Sequence, residues 1–135
     1  MCIRDRTGAY HVRQIMVSSA AIQGTITFDG SGSYTFSGTN VYSDGSGVIS
    51  QTITGSGTYV ISASGEGYIT AISPQVSPTD QIVGLVSHGI FIGSTTENTE
   101  DYNDLFIAAP LASPEATNST LKGTYTCLLY TSRCV

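Results

Sequence analysis

The chain has 135 residues, a net charge of −5 and only five basic residues. Nucleic-acid binding needs Lys and Arg to neutralise phosphates, so this composition argues against it, and an anionic membrane surface would repel the chain likewise. No run approaches the roughly 20 apolar residues that span a bilayer as a helix.

In chain order the hydrophobic pattern is period two. Ile22, Gly24, Ile26 and Phe28 alternate with Gln23, Thr25 and Thr27. Tyr34, Phe36 and Gly38 alternate with Thr35, Ser37 and Thr39, and Tyr59, Ile61 and Ala63 with Val60 and Ser62. Such alternation puts one set on each face of a strand, and β-branched and aromatic residues suit a half-buried pleat. No window carries a helical apolar stripe.

Turn signals punctuate these runs: Asp29-Gly30-Ser31-Gly32, Asp44-Gly45-Ser46-Gly47, Gly55-Ser56-Gly57 and Gly65-Glu66-Gly67. Asp-Gly and Gly-rich pairs supply the positive φ that tight hairpins need. Strands are expected near 8–17, 21–28, 33–42, 47–54, 58–64, 67–72, 81–87, 89–94 and 103–109. The short, regular spacing predicts an all-β fold: an antiparallel meander closed into a barrel of about eight strands, with a two-sheet β-sandwich as the alternative. The runs Ile82–Val86 and Leu105–Ala109 are apolar on both faces, so their second face needs cover.

Residues 110–120 (PLASPEATNST) read as a linker, with two prolines and small residues. Gly8-Ala9-Tyr10 recurs as Gly123-Thr124-Tyr125, 115 residues on. With a linker just before the second copy, this suggests tandem domains: one β domain over 7–109 and the start of a second repeat over 121–126. Gly24 to Tyr34, Gly89 to Ser94 and Asn103 to Ala108 resemble uncharacterised β-rich repeat domains of large secreted proteins of environmental bacteria. That resemblance covers residues 7–126. It implies an extracellular or cell-surface location and neighbouring repeat domains of the same chain as partners, and brings no catalytic residue.

Both ends resemble something else. Met1-Cys2-Ile3-Arg4-Asp5 is the translation of ATG-TGT-ATA-AGA-GAC, similar to the transposase mosaic end used as a sequencing adapter. Cys127-Leu128-Leu129-Tyr130-Thr131-Ser132 matches the reverse complement of the same element. Residues 1–6 and 127–135 are therefore set aside as an adapter scar. All three cysteines, Cys2, Cys127 and Cys134, go with them, so no disulfide, redox or Cys-zinc chemistry remains to argue. Between the ends, nine acids against Arg13 and Lys122 give a net charge of −7.

The acidic stretch from Glu97 to Asp104 is the best chemical feature. Glu97, Glu100, Asp101 and Asp104 are candidate calcium ligands, because Ca²⁺ takes six to eight oxygens. Their spacing does not follow the EF-hand order, and a solvated acidic loop is the plainer reading. No other cofactor is implied: neither GxGxxG before a helix nor GxxxxGK[ST] occurs. His11 and His88 are the two histidines, and Ser87-His88 reads as a turn without the GxSxG elbow. No catalytic residue is assigned. Tyrosines 10, 34, 42, 59, 68 and 102 are read as packing before ligand stacking. Asn118-Ser119-Thr120 is a sequon by pattern only. The expected function is that of a non-catalytic structural or adhesive module in a tandem-repeat protein. The alternative is a small-ligand barrel of lipocalin-like or avidin-like architecture. A filled apolar interior favours the first and an open polar-aromatic cavity the second.

Overall fold

A computed structural model describes residues 7–17, 20–72, 80–95, 103–112 and 117. Among these residues eight strands follow one another: β1 (Thr7–Met16), β2 (Ala20–Asp29), β3 (Ser33–Ser43), β4 (Val48–Ile61), β5 (Glu66–Thr70), β6 (Gln81–Ser87), β7 (Ile90–Ser94) and β8 (Asp104–Pro110). Each pairs antiparallel with the next, and β8 pairs with β1, so the meander closes into a barrel. Closure removes the unpaired sheet edges that would otherwise invite aggregation.

The alternation sorts side chains as expected. Ile22, Ile26 and Phe28 on β2, and Tyr34 and Phe36 on β3, point inward and are buried. Val12, Tyr59, Ile61, Ile69, Ile82, Phe91 and Phe106 complete the filling. Phe28 sits at the centre of an aromatic cluster. Its ring meets Tyr59 at 4.7 Å, Tyr10 at 5.2 Å and Tyr34 at 6.3 Å, all edge-to-face. This geometry sets the positive edge of one ring on the negative face of another.

Space for the rings comes from inward-facing glycines. Gly24 and Gly38 are cross-strand partners, and a Cβ on either would meet the Phe36 ring tip, at 2.9 and 2.6 Å. An eight-stranded barrel has little interior, so bulky and absent side chains must alternate to fill it.

Three turns match their sequence signals. The Asp29 carboxylate accepts hydrogen bonds from the Ser31 and Ser33 amides at 2.8 and 2.9 Å, while Gly30 and Gly32 take positive φ. Asp44 repeats the arrangement with the Ser46 amide at 2.9 Å. His88 and Gly89 form a two-residue hairpin loop with φ of 50° and 85°, the pattern of a type I′ turn.

The Gly55-Ser56-Gly57 expectation is overturned. These residues are extended and lie within β4, which runs unbroken through the two strands expected at 47–54 and 58–64. The nine expected runs are thus eight strands among the described residues, the number expected for the barrel. Pro110, expected to open the linker, instead ends β8 opposite Tyr10, and the Leu111 amide donates to the Ala9 carbonyl at 3.2 Å. Because β1 already has β2 and β8 as neighbours, the barrel closes without residues 121–126. Those residues, most of the linker and the two adapter-like ends lie outside the described residues.

Candidate functional site

The two ends of the barrel differ in chemistry. At the end carrying the β2–β3, β4–β5 and β6–β7 turns, the aromatic cluster closes over a cavity of about 20 Å³. Tyr10, Phe28, Tyr59, Ile61, Ile69 and Phe91 line it. A space of that size holds about one water molecule, whereas small-molecule sites run to roughly 300–1,000 Å³. The Tyr34 hydroxyl donates to the Thr70 carbonyl at 2.7 Å, and burial pushes this phenol above its ordinary pKa despite the Thr70 contact. Burial likewise raises Tyr59.

The opposite end carries a polar layer inside, with Met16 and Ala20 buried beyond it. Gln14 on β1 and Asn40 on β3 are fully buried and flank Ile22 on β2 in one inward-facing row. The Gln14 amide Nε2 donates to Asp104 Oδ2 at 2.6 Å. Asp104 Oδ1 accepts from the Thr95 amide at 2.6 Å, the Thr95 hydroxyl at 2.9 Å and the Ser94 hydroxyl at 3.1 Å. A carboxylate only accepts, so the nitrogen of Gln14 must face it and the oxygen must face away. That Gln14 Oε1, and both polar atoms of Asn40, have no hydrogen-bond partner in the protein.

Of the four candidate calcium ligands, Glu97, Glu100 and Asp101 lie outside the described residues. Asp104 is described, and its carboxylate ties β8 to β1 and to the end of β7. Among the described residues no group of three or more His, Asp, Glu or Cys side chains is placed to hold a metal ion. His11 and His88 do not come together: His11 lies on the outer face of β1, and His88 contacts its neighbour Ser87 in the β6–β7 turn. The acidic stretch marks Asp104 in the sequence but not its partners Gln14, Ser94 and Thr95. Gln14 and Asn40 were legible only as lone amides at inward positions of alternating strands.

The outer wall is also two-sided. Over β2, β3 and β4 it presents hydroxyls in register: Thr25, Ser37 and Thr54 form one cross-strand row, and Thr27, Thr35 and Ser56 the next. Two open hollows sit on this side. One of about 460 Å³ is lined by Asp29, Ser33 and Thr58 among others, and one of about 510 Å³ by His11, Arg13, Gln23 and Thr39. Over β6, β7, β8 and β1 the wall is aliphatic, with Leu85, Ile92, Leu105 and Ile15 exposed. The second-face cover expected for Ile82–Val86 and Leu105–Ala109 is thus not provided within the barrel for Leu85 or Leu105. No helix among the described residues is long and apolar enough to cross a membrane.

Comparison with family models, curated proteins and solved structures finds no match to the chain.

Proposed function

We propose that this chain is a non-catalytic structural or adhesive β module of a secreted or surface-displayed bacterial tandem-repeat protein, and that it works through its outer wall. The observation that carries this reading is the filled aromatic end of the interior. Aromatic and aliphatic side chains occupy one end of the barrel down to a cavity of about 20 Å³. The hydroxyl rows on β2–β4, with hollows of 460 and 510 Å³, offer the hydrogen-bonding surface that adhesion needs.

Two measurements test it. Cells displaying the domain should be retained on polysaccharide-coated surfaces better than cells without it, and Thr25→Val with Thr54→Val should reduce retention. Calorimetric titration with dodecanoate and with biotin, as probes of the interior, should give no saturable heat. Stoichiometric binding of either probe would overturn the reading.

The second reading, a small-ligand barrel, is favoured by one observation. Gln14 Oε1 and the Asn40 amide are hydrogen-bonding groups inside the barrel that the protein does not satisfy. A hydroxylated ligand would donate to Gln14 and both donate to and accept from Asn40.

A further inference from the structure

Barrel closure pairs the strand edges with one long exception. Of the 14 residues of β4, only Tyr59, Val60 and Ile61 pair with β5, whereas Val48 to Thr58 pair with β3 alone. Two hydrogen bonds near the end of this stretch fix the direction of the remaining groups. The Tyr59 amide donates to the Gly32 carbonyl on the β3 side at 2.9 Å, and the Thr58 amide to the Thr70 hydroxyl on the β5 side at 3.0 Å. Successive residues of an antiparallel strand direct their backbone groups to opposite sides, and the β3–β4 register runs without a bulge from Thr58 to Val48. Val48, Ser50, Thr52, Thr54 and Ser56 therefore turn their amides and carbonyls away from β3. Among the described residues these groups have no hydrogen-bond partner.

Proteins usually blunt an open edge with lysine, proline, a bulge or a short strand. This edge has none of them: no charged residue and no proline lies between Asp44 and Glu66. We infer that it pairs antiparallel with the same edge of a second copy of the chain, about a two-fold axis at Thr52. The axis sets Thr52 opposite Thr52, Ser50 opposite Thr54 and Val48 opposite Ser56. Every amide and carbonyl on one edge then meets its complement on the other, which is what an isologous interface requires.

The side chains choose the occupant. Any extended strand would satisfy the backbone, but β4 also matches its own inverted image on both faces. On the outer face hydroxyl meets hydroxyl at Thr52 and at Ser50 with Thr54, a favoured cross-strand pairing. On the inner face Ile49 falls opposite Gly55, whose Cβ position is open, and Gln51 falls opposite Ile53. Ile49 and Ile53 are only half-buried in one barrel, so both gain cover. Two chains of net charge −5 repel each other, and this uncharged stretch is where they can approach most closely.

Sedimentation velocity of the full chain from about 1 to 500 µM is the test, a span suited to an interface below the ~800 Å² per partner of standard size. The sedimentation coefficient should rise from monomer to dimer and stop there, because pairing uses up the edge. Thr52→Lys and Thr52→Glu should each raise the midpoint by about tenfold or more, since like charges then face each other across the axis. Their circular dichroism spectra should match the parent, because Thr52 is exposed. Mixed one to one, the two variants should associate at least as well as the parent. A monomer at every concentration would overturn the inference, and so would assemblies larger than a dimer. A Thr52→Lys chain that associates like the parent, or a mixture that stays monomeric, would overturn it too.

Discussion

The ring of Tyr34 lies directly over Gly57, its cross-strand partner. A Cβ on Gly57 would meet Thr70 Oγ1 first and come within 2.7 Å of both the Tyr34 ring edge and its hydroxyl oxygen. The ring cannot swing aside freely, because its hydroxyl is anchored to the Thr70 carbonyl at 2.7 Å. Gly57→Ala should therefore lower stability by about 1–3 kcal/mol through overpacking. Gly55, two residues earlier on the same strand, has open space around its Cβ position. There the change to Ala should stabilise by roughly 0.5–1 kcal/mol, since glycine weakens a strand interior. Urea denaturation of the two variants measures the contrast, and equal effects would refute the packing account.

Asn40 is fully buried with neither amide atom partnered in the protein. Asn40→Leu should raise stability by about 1–3 kcal/mol, because removing an unsatisfied buried polar group recovers its desolvation cost. Gln14→Leu should not, because it strips Asp104 Oδ2 of its donor. Denaturant midpoints of the two variants report the difference. A loss of stability in Asn40→Leu would overturn this account of the amide.

The β2–β3 turn should be acid-sensitive in a defined window. Hydrogen bonds from Ser31 and Ser33 hold the Asp29 carboxyl at about 2, below its ordinary 3.8. A depressed folded-state pKa means the carboxylate contributes stability above the unfolded value. That contribution fades as pH falls from about 4 through about 2. An NMR titration of the Asp29 carboxyl should show its midpoint near 2. The melting-temperature gap between the parent and Asp29→Asn should narrow across the same interval, and a constant gap would contradict the assignment.

Asp104 accepts four hydrogen bonds that join β1, the end of β7 and β8. Asp104→Asn places an amide NH₂ against donors. It should cost about 1–3 kcal/mol, the range for leaving buried polar groups unsatisfied. Thermal denaturation in calcium-free buffer checks it. A destabilisation that appears only when millimolar calcium is present would return Asp104 to the acidic-loop metal reading.

A chain trimmed to residues 7–112 should fold by itself, since β8, the last strand of the barrel among the described residues, ends at Pro110. Its thermal midpoint should match that of the full chain. A fall of several degrees would mean that residues outside this span contribute packing, against the reading of the ends as adapter and of 121–126 as a separate repeat.

Which side chains point inward along Ile22–Phe28 and Tyr34–Phe36 was legible in the sequence, because successive Cβ atoms on a strand face opposite ways. The Asp29 and Asp44 turns were legible too, since their side chains bond amides two to four residues on. Gly55-Ser56-Gly57 was misread because composition cannot distinguish a glycine that turns the chain from one that makes room for a ring. Gly57 is set opposite Tyr34, 23 residues before it, by the β3–β4 register. The polar end was hidden for the same reason: Gln14 and Asp104 are 90 residues apart and meet only when β8 returns to β1. Alternation and turns act over a few residues, within reach of one strand's own geometry. Closure, and every contact it creates, depends on where the rest of the sheet has brought the chain.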